Sequence, residues 1–150
     1  MIKTFRGLLD DGEQEKIRLS TKKGKIGYKI KKFQLMNRDA GETAHEMEST
    51  CKVYKVNQGT INTVVDFSDG NLLAAGQIGS HRDFVTYPQS VIVIFDIEVF
   101  NQDIFITHKN NHADAAPCNY YLELETISLT DNAAAVSTLR DIRLNPQVPA

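Results

Sequence analysis

Val91-Ile92-Val93-Ile94-Phe95-Asp96-Ile97-Glu98-Val99-Phe100 can be folded in two ways that make opposite demands, and only one is workable. At a period of two, Val91, Val93, Phe95, Ile97 and Val99 share an apolar face, while the other face passes from Ile92 and Ile94 to Asp96 and Glu98. Wound as a helix, the same residues would set Asp96 among Ile92, Val93, Val99 and Phe100, an unpartnered acid within an apolar stripe. The stretch therefore predicts a β-strand that leaves the core toward its C-terminal end.

The same alternation recurs on either side. Residues 2–9 open in extended form, Asp10-Asp11-Gly12 reads as a turn, and residues 17–19 begin a second strand. After the reversal Thr21-Lys22-Lys23-Gly24, Ile26, Tyr28 and Ile30 alternate with Gly27, Lys29 and Lys31. Phe33 and Leu35 continue one place out of step, which predicts a β-bulge near Lys31-Lys32. Residues 37–49 read as a long polar loop. Residues 52–56 and 61–67 are predicted to pair as a hairpin around Asn57-Gln58-Gly59, and after the turn Ser68-Asp69-Gly70-Asn71 a strand is expected over 72–78. Residues 79–89 form a polar connection. The 91–100 strand is expected to pair with Ile104-Phe105-Ile106 through Asn101-Gln102-Asp103. Residues 108–119, with Pro117, form the second long loop, before Tyr120, Leu122 and Leu124 restart an apolar face opposite Glu123 and Glu125, with a phase slip at Thr126.

Only the tail reads as a helix. Thr130 or Asp131 caps it, Ala135, Val136, Leu139 and Ile142 form one stripe, Arg140 and Arg143 favour its C-terminal dipole, and Pro146 and Pro149 end it. About eight short strands and one short helix, with no strand-helix-strand alternation, predict an all-β fold. The expected architecture is an antiparallel two-sheet sandwich of jelly-roll type occupying residues 1–150 as a single domain.

The 150 residues are enough to bury roughly 70% of the surface the unfolded chain would expose. Apolar and charged residues at 41% and 24% disfavour disorder, and a formal charge of -2 provides no general attraction to nucleic acid or anionic membrane. There is no run of about 18 apolar residues and no signal-peptide apolar segment near Met1, so synthesis in a cytoplasm is expected.

Chemistry-bearing residues read blandly. Cys51 and Cys118 lack metal-ligand or redox spacing and are expected as two buried thiols without a disulfide. His108 and His112, with Asp114, would converge on a metal only from a helix, which Lys109-Asn110-Asn111 does not favour; with His45, Glu46 and Glu48 they read as solvated loop residues. Cys51, His81 and Asp83 form no convincing nucleophilic set. The strand carboxylates Asp96, Glu98, Glu123 and Glu125 read as the outward side of sheets. Lys22, Lys23, Lys25, Lys29, Lys31 and Lys32 lack the interleaved aromatics of a stacking platform, so nucleic acid is not the expected partner. The expectation is a non-enzymatic protein with no catalytic, cofactor-binding or metal-binding residues.

Three segments, Gly27-Tyr28-Lys29-Ile30-Lys31-Lys32-Phe33-Gln34-Leu35-Met36, Cys51-Lys52-Val53-Tyr54-Lys55-Val56 and residues 120–131 with the capped helix after them, resemble small β-sandwich structural proteins of bacteriophage virions. The resemblance implies a subunit present in many copies, made in the host cytoplasm and located in the virion. Its partners would be other virion subunits and itself in a homo-oligomer, on or within a capsid shell, with a tail component as the nearest variant. Phe84, Tyr87 and Phe100 are the aromatics expected to reach a partner from loops, and residues 1–9 and 145–150 are extended termini that could do the same. The alternative is a carbohydrate- or receptor-binding sandwich, for which Asn110, Asn111, Asn119 and Tyr120 would supply amide and aromatic groups.

Overall fold

A computed structural model describes residues 1–39, 46–81, 84–95 and 97–144, with backbone alone at 81, 84–89, 131–132 and 140–144. Its strands are β1 (Ile2–Leu9), β2 (Gln14–Ile17), β3 (Ile26–Asn37), β4 (Met47–Tyr54), β5 (Leu72–His81), β6 (Phe84–Ile94), β7 (Ile104–Asn110) and β8 (Cys118–Ser128), followed by helix α1 (Asp131–Leu144). They form two antiparallel sheets, β1-β8-β3 and β2-β7-β4-β5-β6. The pairs β1/β8, β2/β7 and β4/β5 are those obtained by folding one long hairpin of eight strands and wrapping it into two layers, the jelly-roll arrangement expected from the sequence. The fourth pair of that series departs from it, because β6 is hydrogen-bonded to β5 instead of β3.

The local chemistry explains the turns. Gly12 (φ 78°) and Gly24 (φ 61°) occupy the left-handed region at the two reversals predicted for them. At Gly24 a side chain would also meet Thr138 Oγ1 at 2.9 Å and Asn101 Nδ2 at 3.0 Å. The β3 register shifts against β8 between Ile30 and Lys32, so the bulge lies where the hydrophobic phase slipped. It lets Ile30 and Phe33 both face inward, opposite Leu124 and Leu122. These side chains meet Val53, Leu73, Ile104 and Ile106 from the other sheet in one buried cluster. Full burial of each such side chain contributes about 1.5–3 kcal/mol.

Several expectations need correction. Residues 61–67 form no strand; Asn62 and Asp66 bond the backbone NH groups of Val64 and Ser68, competing locally with sheet pairing. The supposed connection at 79–89 is largely strand, divided between β5 and β6. β6 stops at Ile94 and turns Ile92 and Ile94 toward the main core, leaving Val91 exposed. The inward face is thus the shorter one, and Glu98 beyond it pairs with Lys55 outside the main core. β6 does not form a hairpin with β7, because β7 lies between β2 and β4. β8 passes Thr126 without a slip, in register with β3 as far as Ser128. Asp96, residues 40–45 with His45, Asp83, and residues 145–150 with Pro146 and Pro149 lie outside the described residues.

The helix presents the reverse of its predicted face. Ala134 and Ser137 are buried, whereas Ala135, Val136 and Leu139 are exposed, Val136 at 67%. Thr130 caps the helix through Oγ1, which accepts from Ala133 N at 3.2 Å. Fully buried Asn101 docks it, its Nδ2 donating to Thr138 Oγ1 at 2.7 Å and to Gly24 O at 3.0 Å. Asn101→Ala is expected to lower stability by about 2–3 kcal/mol, because it leaves the Gly24 carbonyl without its amide donor. Urea denaturation of the full chain measures this, and an unchanged midpoint would contradict the docking role.

Candidate functional site

Pleat alternation sets the outward face of the three-stranded sheet. Leu122, Leu124 and Tyr120 point inward from β8, so Asn119 and Tyr121 point outward, opposite Arg6 and Leu8 of β1 and Gln34 and Met36 of β3. These residues, with Ser90 and Ile92 of β6, line an open cavity of about 700 Å³. Its sides are amide, phenol, guanidinium and thioether groups, with Met36 and Leu8 well exposed. The Tyr121 hydroxyl donates to Glu123 Oε1, two residues along β8, at 2.7 Å, which raises its pKa. Of the four residues expected to hold a carbohydrate, Asn119 and Tyr120 line this cavity. Asn110 is buried, bonding Glu48 N, His112 N and Ala116 O, and Asn111 bonds Glu48 away from it. Tyr120 contributes its buried ring while its hydroxyl is spent on Glu15, and burial, followed by that carboxylate, raises its pKa.

A second surface covers the outer side of the five-stranded sheet. Lys52 projects from β4 away from the core, where its Nζ donates to Val64 O at 2.6 Å and Asn62 Oδ1 at 3.1 Å. It also lies 5.5 Å from the Tyr54 ring centroid. Burial depresses the Lys52 pKa, partly offset by Asp69, and raises that of Tyr54 to about 12. Beside them Tyr54, Leu72 and Ala75 form a small cluster with Phe95, against whose ring Phe67 packs edge-on at 5.4 Å. The loop thus held presents Val64, Val65 and Phe67, and Ile97 stands 88% exposed in the neighbouring turn. Sequence reading missed this surface because residues 61–67 pass for a strand by alternation alone.

The aromatics expected to face a partner divide differently. Phe100 is buried, stacked on Tyr28 at 6.2 Å and hydrogen-bonded to it through both backbones. It belongs to the chain's own core, which corrects its place among contact residues. Phe84 and Tyr87 lie on β6, not on a loop, and their side chains are outside the described atoms. Of the carboxylates read as outward-facing, Glu98 pairs with buried Lys55, and Glu125 with Lys29 and Lys31.

A third constellation lies inside. Cys51 (β4), His108 (β7) and Cys118 (β8) are each buried, and one ligand atom from each lies within 4.8 Å of the others. Cys51 and His108 are direct cross-strand partners, while Cys118 comes from the opposite sheet. This corrects the reading of His108 as a solvated loop histidine. Of His108 and His112, the second is the one in the loop, between Glu46 and Asp114. His108 Nδ1 meets the Asp10 carbonyl at 3.0 Å and Nε2 meets Ser49 Oγ at 2.9 Å. A carbonyl only accepts, so Nδ1 carries the proton and the lone pair is on Nε2. Burial lowers the imidazole pKa, keeping it neutral. The neighbouring Cys118 thiol, followed by burial, raises the Cys51 pKa, and Cys118 Sγ donates to the Asn119 carbonyl at 3.5 Å and the Met36 carbonyl at 3.8 Å. No spacing in the sequence announces this set, since three strands from two sheets supply it.

Compared with known proteins, the chain matches no family profile and no curated sequence.

Proposed function

We propose that this chain is a non-enzymatic structural subunit of a virion, a capsid-associated decoration, cement or minor capsid protein acting through protein-protein contacts. The observation that carries the reading is the distribution of large apolar side chains on the outside of a rigid jelly roll. Phe67, Val64 and Ile97 lie over one sheet, Met36 and Leu8 over the other, and Val136 and Leu139 along the helix. Contiguous exposed apolar groups mark contact surfaces more often than solvent-facing ones. The likeness of residues 27–36, 51–56 and 120–131 to phage β-sandwich subunits supports the same reading and favours a virion location after synthesis in the host cytoplasm.

A second reading has its own observation. The 700 Å³ cavity, with Tyr121, Asn119, Gln34 and Arg6 on its walls, is of a size and polarity suited to a sugar ring, as in a carbohydrate- or receptor-binding tail component. Light scattering on the purified chain across a concentration series separates the two. A discrete symmetric oligomer or reversible assembly, weakened by Phe67→Ser, is the expected result. A strict monomer that also fails to bind purified virions overturns the subunit reading, and glycan-array binding lost in Tyr121→Ala would then establish the second.

A further inference from the structure

We propose that Cys51, His108 and Cys118 form a binding site for one zinc-class divalent cation, held between the two sheets and closed on its fourth side by the Ser49 hydroxyl. A tetrahedral centre with about 2.3 Å to sulfur and about 2.0–2.1 Å to nitrogen needs donors about 3.5–3.8 Å apart. The three donor atoms already lie within 4.8 Å of one another, so side-chain adjustments of about an ångström close the site. Ser49 shares the inward face of β4 with Cys51 and sits 2.9 Å from His108 Nε2, which makes its Oγ the adjoining oxygen donor.

Charge explains why such a site could persist in the core. Two thiolates, a neutral imidazole and a divalent cation sum to zero, so burial carries no net ion, unlike a buried thiolate alone. The imidazole is oriented as metal-bound histidines are: Nδ1–H is anchored on the Asp10 carbonyl, and the Nε2 lone pair, which accepts the Ser49 hydroxyl at 2.9 Å, passes to the metal once that hydroxyl hydrogen rotates away. Binding breaks two S–H bonds and releases both protons to solvent, with no change of oxidation state. Two thiols and one imidazole also suit the cation class, since thiolate donors select zinc over calcium or magnesium. The ligands join β4 and β7 of one sheet to β8 of the other, so the ion would fasten the layers of the sandwich.

The full chain, purified without chelator, should contain one zinc per chain by elemental analysis. Unfolding it in denaturant with EDTA and refolding it with cobalt(II) should give near-ultraviolet thiolate-to-cobalt absorption and the intense visible bands of a tetrahedral ion. Cys118→Ser and His108→Gln should each reduce cobalt affinity at least tenfold, whereas His112→Ala, at a half-buried position between Glu46 and Asp114 in the neighbouring loop, should leave the spectrum unchanged. If a substituted chain fails to fold, the wild-type spectrum and metal content still decide. Folded wild-type protein that takes up neither metal, with two free thiols titratable in denaturant, overturns the proposal. So does a native mass two hydrogens low, which would signal a Cys51–Cys118 disulfide.

Discussion

Leu122→Ala is expected to lower the free energy of unfolding by about 3–5 kcal/mol. Leu122 is fully buried on β8, the central strand of the three-stranded sheet, with Phe5 of β1 and Phe33 of β3 as its lateral neighbours. A hydrogen-bonded strand on each side prevents β8 from collapsing inward to fill the space, so the cavity term adds to the lost transfer energy. Glu123→Ala, next along the strand but facing outward, should change stability by less than about 0.5–1 kcal/mol, its bond to the Tyr121 hydroxyl being on the surface. Guanidinium denaturation of both variants measures the contrast. Similar values for the two would mean that the inward and outward faces of β8 are wrongly assigned.

That alternation is legible in the sequence because Tyr120, Leu122 and Leu124 keep strict period two beside Glu123 and Glu125. The β3 bulge was readable for the same reason, since one extra residue shifts every later side chain to the other face and leaves a visible break in phase. Residues 61–67 show where period fails as a guide: Val64, Val65 and Phe67 have strand-like composition, but side-chain-to-backbone bonds from Asn62 and Asp66 fix a loop instead. The helix fails differently. Its large apolar residues mark a stripe, yet the side that packs is the small one, because Asn101 and the Gly24 turn admit Ala134 and Thr138 but no bulkier group.

The cavity over the three-stranded sheet and the buried cluster were hidden for a common physical reason. Each is made by neighbours across strands, and pairing between β4, β7 and β8 brings Cys51, His108 and Cys118 together from positions that no local pattern connects. Phe100 illustrates the converse error. A large aromatic beside a polar turn suggests a reaching side chain, but its backbone bridge to Tyr28 draws the ring inward. Apolar residues on loops therefore point to a partner only after the chain's own core has claimed what it needs.

Lys52→Met is expected to release the 61–67 loop from the five-stranded sheet and to lower stability by about 2–3 kcal/mol. The ammonium is almost wholly buried and spends its donors on Val64 O and Asn62 Oδ1, so a thioether of similar length fills the space but leaves the Val64 carbonyl without a donor. Lifting the loop rehydrates that carbonyl, which limits the loss and exposes the backbone around Val64 to protease. Limited proteolysis should therefore cut Lys52→Met within 61–67 under conditions where the parent chain resists, while the two sheets remain intact by circular dichroism. Because the same loop carries Val64, Val65 and Phe67, the subunit reading further requires that Lys52→Met weaken self-association or virion binding together with the new cleavage. Cleavage without any change in association would remove this loop from the contact surface and leave the three-stranded face and the helix to serve it.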